Sequence, residues 1–295
     1  MCEYINKYEI IRQVLKFDSS CNEIYGLSKK GYSIEEILKI DGKIAEEYAI
    51  KYLTENFQDP DVKRFLTSYY DQYRVDSDKA IIISDTHLGG IYGNYDLVYG
   101  VYDFALKNGI KYILHAGDII EGYANYSIQS PNVYEQVQQL QEKYPKTDEI
   151  KTYYILGNHD YMNIVSNQKN VIYAPHLVKD TANSINGLTY AGVLKTYINF
   201  NDEHRVILKH EDAWGLRLPD LEPDLILKGH SHWYQFQEQS RLVSLPALKN
   251  RDYSKAENIG FVVLSLLDNC YEIKTYTLDN NYYSNTDTKR LVYKR

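Results

Sequence analysis

Five short apolar runs in the middle of this chain each lead straight into a turn that carries histidine, aspartate or asparagine. Ala80–Ile83 runs into Ser84-Asp85-Thr86-His87, and Tyr112–His115 into Ala116-Gly117-Asp118. Tyr153–Leu156 runs into Gly157-Asn158-His159-Asp160, Val206–Leu208 into Lys209-His210, and Leu225–Leu227 into a segment ending Gly229-His230-Ser231-His232. Runs of this length and composition predict buried strands, and the amphipathic stretches Asp96–Lys107 and Val133–Tyr144 between them predict helices. Such alternation implies a layered α/β domain. In an open α/β sheet the strand ends share one edge, so side chains just beyond them converge in a crevice. One polar strand end means little. Five together, giving four His, two Asp and one Asn, describe a cluster with the chemistry of a metal site. Gly117, Gly157 and Gly229 are expected to permit the sharp turns that bring the next side chain round.

Composition narrows the class. With 295 residues, the length prior is two domains. Basic side chains number 33 against 40 acidic ones, and the formal charge of −7 argues against a broad basic face that wraps duplex DNA. No apolar run approaches the roughly 20 residues that span a bilayer, so no membrane partner is expected. The start, MCEYINKYEI, lacks the pattern of a signal peptide. Cys2, Cys21 and Cys270 are too far apart for a CxxC site or a disulfide framework. Together these features read as a cytoplasmic protein with reduced thiols.

Residues 1–74 read as a separate helical domain. Ser33 and Glu36 form a capping box, followed by the apolar positions Ile34, Ile37, Leu38 and Ile40. Asp41-Gly42 breaks the pattern, and Ile44, Ala45, Tyr48, Ala49 and Leu53 resume it. This spacing resembles the helix-turn-helix of resolvase-type DNA-binding domains. The segment carries 11 basic and 13 acidic side chains, so two readings stand level: nucleic-acid binding, or a helical packing element that makes a homo-oligomer. Residues 75–280 form the main domain, closed by a hairpin of Phe261–Leu267 and Tyr271–Leu278 around Asp268-Asn269. Residues 281–295 are expected to be a polar, irregular tail.

Taken in order, Asp85-Thr86-His87, Gly117-Asp118, Gly157-Asn158-His159-Asp160, the lone His210 and Gly229-His230-Ser231-His232 resemble the calcineurin-like metallophosphoesterase family. The resemblance covers about residues 79–250, and no ligand position of the family pattern is missing. It implies a β-sandwich flanked by helices, in place of a simple parallel sheet. It also implies that Asp85, His87, Asp118 and His232 hold one metal ion, and that Asp118, Asn158, His210 and His230 hold a second, with Asp118 bridging. His159 would then contact the phosphoryl oxygen or protonate the leaving group, and Asp160 would orient or polarise a histidine of the site. Imidazole and carboxylate donors suit two borderline divalent ions, manganese first, with iron, zinc or nickel as alternatives. Such a pair, roughly 3.5–4 Å apart, grips one phosphoryl group and turns water into hydroxide near neutral pH.

The implied activity is phosphate-ester hydrolysis, with a phosphodiester of DNA or a nucleotide as the leading substrate. Alternatives are a small-molecule phosphomonoesterase, a cyclic-nucleotide phosphodiesterase, and, from another class, a non-catalytic scaffold or DNA-binding regulator. Other candidates are assigned more plainly. His115, His176 and His204 are expected to be structural or solvated, and Glu121 to stand beside the metal ligands without being one. Trp214 and Trp233 are expected to pack. Tyr92, Tyr95, Tyr123 and Tyr126 are expected at the surface of a chain with 31 tyrosines, with base stacking as the alternative.

Overall fold

A computed structural model describes residues 73–122, 132–161, 175–211, 223–250, 258–279 and 282–293. The expected helix-turn-helix over residues 1–74 lies outside them, apart from its last two residues. In chain order the elements are β1 (Arg74–Val75), β2 (Lys79–Ile83), α1 (Tyr95–Lys107), β3 (Tyr112–His115), α2 (Val133–Lys143), β4 (Lys151–Leu156), α3 (Asn158–Tyr161) and α4 (Pro175–Asn183). There follow β5 (Leu188–Val193), β6 (Lys195–Phe200), β7 (His204–Lys209), β8 (Leu225–Lys228), β9 (Gln235–Gln237) and β10 (Leu242–Ser244). Last come β11 (Gly260–Leu266), β12 (Cys270–Asp279) and β13 (Tyr282–Val292).

The strands form two mixed sheets. One has the order β13-β12-β11-β2-β3-β4-β5, the other β1-β6-β7-β8-β10-β9. In the first, β2 to β5 run parallel and β11, β12 and β13 extend it antiparallel. In the second, β7, β8 and β10 run parallel. Ala80, Ile82, Leu114, Ile155 and Val262 of the first sheet share one buried cluster with Ile198, Val206, Leu208, Leu225, Leu227 and Val243 of the second. The expected sandwich is therefore present, and its core lies between the sheets.

Ile81, Ile83 and Ile113 alternate onto the other face of the first sheet. Burial on both faces explains why this stretch is continuously apolar. Helix α1 packs on that outer face, where the Tyr102 hydroxyl meets Thr152 Oγ1 at 2.7 Å. Asn94 caps α1 by accepting from the N–H of Asp96, and Asn132 with Glu135 forms a capping box on α2.

Two expectations are corrected. The five strand ends do not line one sheet edge: β2, β3 and β4 belong to one sheet, while β7 and β8 belong to the other. The crevice therefore opens where two sheets meet. Leu194, the single residue between β5 and β6, hands the chain across with a φ of 58°. Its N–H bonds Leu156 O, and its C=O accepts from His210 N, both at 2.8 Å. Nor are residues 281–295 an irregular tail. Strand β13 pairs with β12 from Asp279↔Tyr282 to Cys270↔Val292. An edge strand has little apolar demand, and Leu291 is among the few positions here that reach the core, so its polar residues read as loop.

Candidate metal centre

Each of the seven expected ligands stands just beyond a strand, and the structure brings them into two adjoining groups. In the first group Asp85 Oδ1 lies 3.2 Å from His232 Nε2 and 4.0 Å from His87 Nε2, and the two imidazole nitrogens are 3.2 Å apart. In the second, Asn158 Oδ1 lies 2.9 Å from His210 Nε2 and 3.1 Å from His230 Nδ1. Asp118 joins the two. Its Oδ2 is 3.1 Å from His210 Nε2 and 3.7 Å from His87 Nε2.

The backbone at these positions is unusual. Asp85, His87, Asp118, His230 and His232 have φ of 53°, 44°, 56°, 71° and 57°, five of the nine left-handed non-glycine residues described. Such a conformation costs roughly 1 kcal/mol or more per residue and persists only where surroundings enforce it. Here they do. Asp85 N bonds Gly117 O at 3.0 Å, His87 N bonds Asp118 O at 3.1 Å, and His230 N bonds Asp85 Oδ2 at 3.0 Å.

The three glycines have different tasks. Gly117 has a φ of 93° and so uses its conformational freedom. Gly157 and Gly229 are small for want of room: a Cβ would overlap Asp118 Oδ1 at the first and Ser84 Oγ at the second.

Electrostatics tests the fit of a cation. The Ala116 carbonyl accepts from His210 Nδ1 at 2.7 Å, so in a neutral ring the Nε2 lone pair faces both Asp118 Oδ2 and Asn158 Oδ1. Three acceptors therefore converge where only a cation or a proton relieves them. Asp85 Oδ1 is buried without a well-aligned donor among the described residues. Burial alone would raise the Asp118 carboxyl, but the charge and hydrogen bond of His210 hold it far below the carboxylate range. Burial likewise opposes Asp85 ionisation, and His232 close beside it, with the His210 charge, overcomes that. His210, whose charge burial disfavours, is raised by Asp118 beside it. Imidazole, carboxylate and amide oxygen without thiolate are the donors that borderline divalent ions take. The residues fit.

The neighbours of the cluster hold it in place. Asp160 accepts from the N–H groups of Gly157 at 2.9 Å and of Ile119 and Ile120 at 3.0 Å. Burial and the Asp118 charge push its carboxyl up to about 7, against the pull of those donors. These bonds clamp the turn carrying Asp118 to the turn carrying Asn158. His159 donates from its backbone N to Asp118 Oδ1 at 2.9 Å and from Nδ1 to Glu121 O at 2.6 Å. In the neutral ring Nε2 then carries the lone pair.

His115 lies outside the two groups. It is buried, accepts from Gly117 N at Nδ1, and meets Thr86 Oγ1 at 3.0 Å through Nε2. His204 stacks on Tyr293 with centroids 4.0 Å apart. The side chains of His176, Tyr123, Tyr126 and Trp214 lie outside the described residues. Trp233 departs from the packing expectation, being 52% exposed. Tyr92 places its ring face toward Lys249 Nζ, 5.4 Å away.

Two site neighbours were missed. Glu211 Oε2 lies 3.8 Å from His230 Nε2, and the only sequence signal was its place directly after His210. Lys249 is 5% exposed, and its charge acts on Glu121. It belongs to no motif; the N–H of neighbouring Leu248 bonds Ser84 O and brings it to the site.

The profile of the calcineurin-like phosphoesterase family matches residues 79–246. The chain belongs to that family. The matched span of this calcineurin-like phosphoesterase runs from β2 to β10 and contains every expected ligand. The family uses divalent metals, and three groups among the described residues are candidates to hold them: Asp85, His87 and His232; Asp118, His210 and His230; and His87, Glu121 and His159.

Comparison with curated proteins finds no match. Among solved structures, vacuolar protein sorting 29 from Cryptosporidium parvum is similar at 15% identity and a TM-score of 0.44, covering 74% of this chain and 100% of its own. A dimetal phosphatase from Danio rerio is similar at 9% identity and 0.43, covering 75% and 100%. A predicted phosphoesterase from Streptococcus pneumoniae is similar at 13% identity and 0.39, covering 74% and 99%. Among the described residues, no helix is long and apolar enough to cross a membrane.

Proposed function

We propose that this calcineurin-like phosphoesterase hydrolyses phosphate esters with two divalent ions. Asp85, His87, Asp118 and His232 would hold one ion, and Asp118, Asn158, His210 and His230 the other. The position of Asp118 Oδ2, within 3.7 Å of His87 and 3.1 Å of His210, carries this reading, because one carboxylate oxygen faces both groups. When bound, the ions supply Lewis-acid polarisation of the phosphoryl group and an activated water.

The chain's own residues do the rest. His159, its Nδ1 proton committed to Glu121 O, presents Nε2 as the atom that, once it has taken a proton from solvent, would give it to the leaving oxygen. Asp160 keeps His159 and Asn158 in register with Asp118 through its three backbone bonds. The tight approach of Gly157 to Asp118 excludes bulk beside the shared carboxylate.

For the substrate we favour a phosphodiester of DNA or a nucleotide, on the helix-turn-helix-like spacing of residues 33–53. Manganese is the first choice of metal, and a reduced cytoplasmic setting fits the three dispersed cysteines. The formal charge of −7 favours a second reading, a small-molecule phosphomonoesterase or cyclic-nucleotide phosphodiesterase, because an anionic polymer gains little from such a surface.

The test is turnover of bis(p-nitrophenyl) phosphate and p-nitrophenyl phosphate by manganese-loaded protein. Hydrolysis that Asp118→Asn and His230→Ala reduce to background supports the hydrolase; undiminished turnover in both rejects the site. Single-stranded DNA, duplex DNA, cyclic nucleotides and phosphomonoesters, compared side by side, then separate the two substrate readings.

A further inference from the structure

Glu121 touches two histidines of the centre in two different ways. Its carboxylate Oε2 lies 3.2 Å from His87 Nδ1, near enough to take that proton though not aligned with it. Its backbone carbonyl accepts from His159 Nδ1 at 2.6 Å. The two rings meet edge to face with centroids 4.6 Å apart. In His87, the nitrogen away from Glu121 is the one that faces Asp85, Asp118 and His232. An imidazole that gives its Nδ1 proton to a carboxylate must present the Nε2 lone pair on the other side.

Glu121 is itself held on several sides. Its N–H bonds Leu88 O at 3.2 Å, and Leu88 N bonds Ile119 O at 2.8 Å, so the loop after β2 and the loop after β3 are laced together. Gly90 lies so close that a Cβ there would be 2.6 Å from Oε2 and 2.7 Å from the Glu121 Cβ. The buried Lys249 supplies positive charge nearby.

We propose that Glu121 is a positioning residue that fixes the tautomer and orientation of both histidines, His87 for metal binding through its carboxylate and His159 for proton transfer through its carbonyl. This rests on the dinuclear-hydrolase reading above. A side-chain substitution should therefore affect the two histidines unequally. Loss of the carboxylate releases His87, while the carbonyl contact to His159 stays.

The experiment has two arms on the full chain. In the metal-free protein, long-range proton–nitrogen NMR correlations report the tautomer of each ring. Wild type is expected to show both His87 and His159 protonated at Nδ1; Glu121→Ala should shift His87 toward the other tautomer and leave His159 unchanged. In the second arm, competition with a chromophoric chelator measures manganese affinity. Glu121→Ala should bind about 10–100-fold more weakly, the usual loss when the partner of a ligating histidine is removed. Glu121→Gln, whose amide oxygen still accepts from Nδ1, should recover part of that loss.

Circular dichroism confirms that each variant is folded, and a misfolded Glu121→Ala leaves Glu121→Gln as the deciding variant through its intermediate affinity. An Nε2-protonated His87 in wild type overturns the assignment, as does manganese affinity unchanged in both variants. If wild type binds no manganese while the NMR arm comes out as expected, the dinuclear reading fails and the placement of the rings by Glu121 stands.

Discussion

His210 Nε2 and Asp118 Oδ2 lie 3.1 Å apart, and because the His210 Nδ1 proton is committed to Ala116 O the two are both acceptors whenever the ring is neutral. A divalent cation between them relieves a conflict that the folded chain otherwise meets with a proton. Metal should therefore stabilise the fold. An ion present at 100 times its Kd adds about 2.7 kcal/mol when it binds only the folded state. Manganese is expected to raise Tm above that of chelator-treated protein, and Asp118→Asn should abolish most of the increment. An unchanged wild-type Tm, read by calorimetry, contradicts this.

Gly157 tests how tightly the shared carboxylate is packed. A methyl group there overlaps Asp118 Oδ1, so Gly157→Ala must displace Asp118 or its own turn. Overpacking of this kind costs about 1–3 kcal/mol. Turnover and metal affinity should fall well beyond what the Tm change explains. A variant with full activity would mean that the turn yields freely.

The candidate ligands could be picked out of the sequence because each follows on a run that must be buried, a pattern that is local. Their partition between sheets was not legible. Whether Leu208 and Leu225 pair with Leu114 or lie across the core from it depends on long-range pairing that no local run encodes. The polar edge strand over residues 282–292 escaped for the opposite reason, since few of its side chains report burial. Strand β6 reads Lys-Thr-Tyr-Ile-Asn-Phe, and three polar residues in six leave no continuous apolar run to mark it, although it packs against the core. Glu211 and Lys249 stayed silent because their roles come only from what the fold places beside them.

His115 gives the stability of the fold a pH dependence. Burial holds its folded pKa at about 3, against an ordinary value of 6.5. Between those values the unfolded chain binds the extra proton, so stability falls as pH falls, by up to about 1.4 kcal/mol per pH unit from this group. His115→Gln lacks the titrating ring, and its unfolding free energy should decline less steeply from pH 6.5 to 5. Equal slopes in urea titrations of both proteins would show that His115 titrates normally.

Asp160 is expected to matter more to stability than its place beside His159 suggests. Asp160→Ala strands three buried N–H groups, those of Gly157, Ile119 and Ile120. A loss of about 2–4 kcal/mol follows from the usual cost of unsatisfied donors. Asp160→Asn keeps the volume but offers one fewer acceptor, so its loss should be smaller. Chemical denaturation of both variants checks the order.

The proposed function requires Asp118 to face two metal ions at once. Diffraction from crystals grown with manganese, with anomalous data collected at its absorption edge, tests it most directly. Two anomalous peaks roughly 3.5–4 Å apart, one on each side of the Asp118 carboxylate, are expected. A lone peak, or two peaks with Asn158 and His210 turned away from both, would rule out a carboxylate shared between two ions.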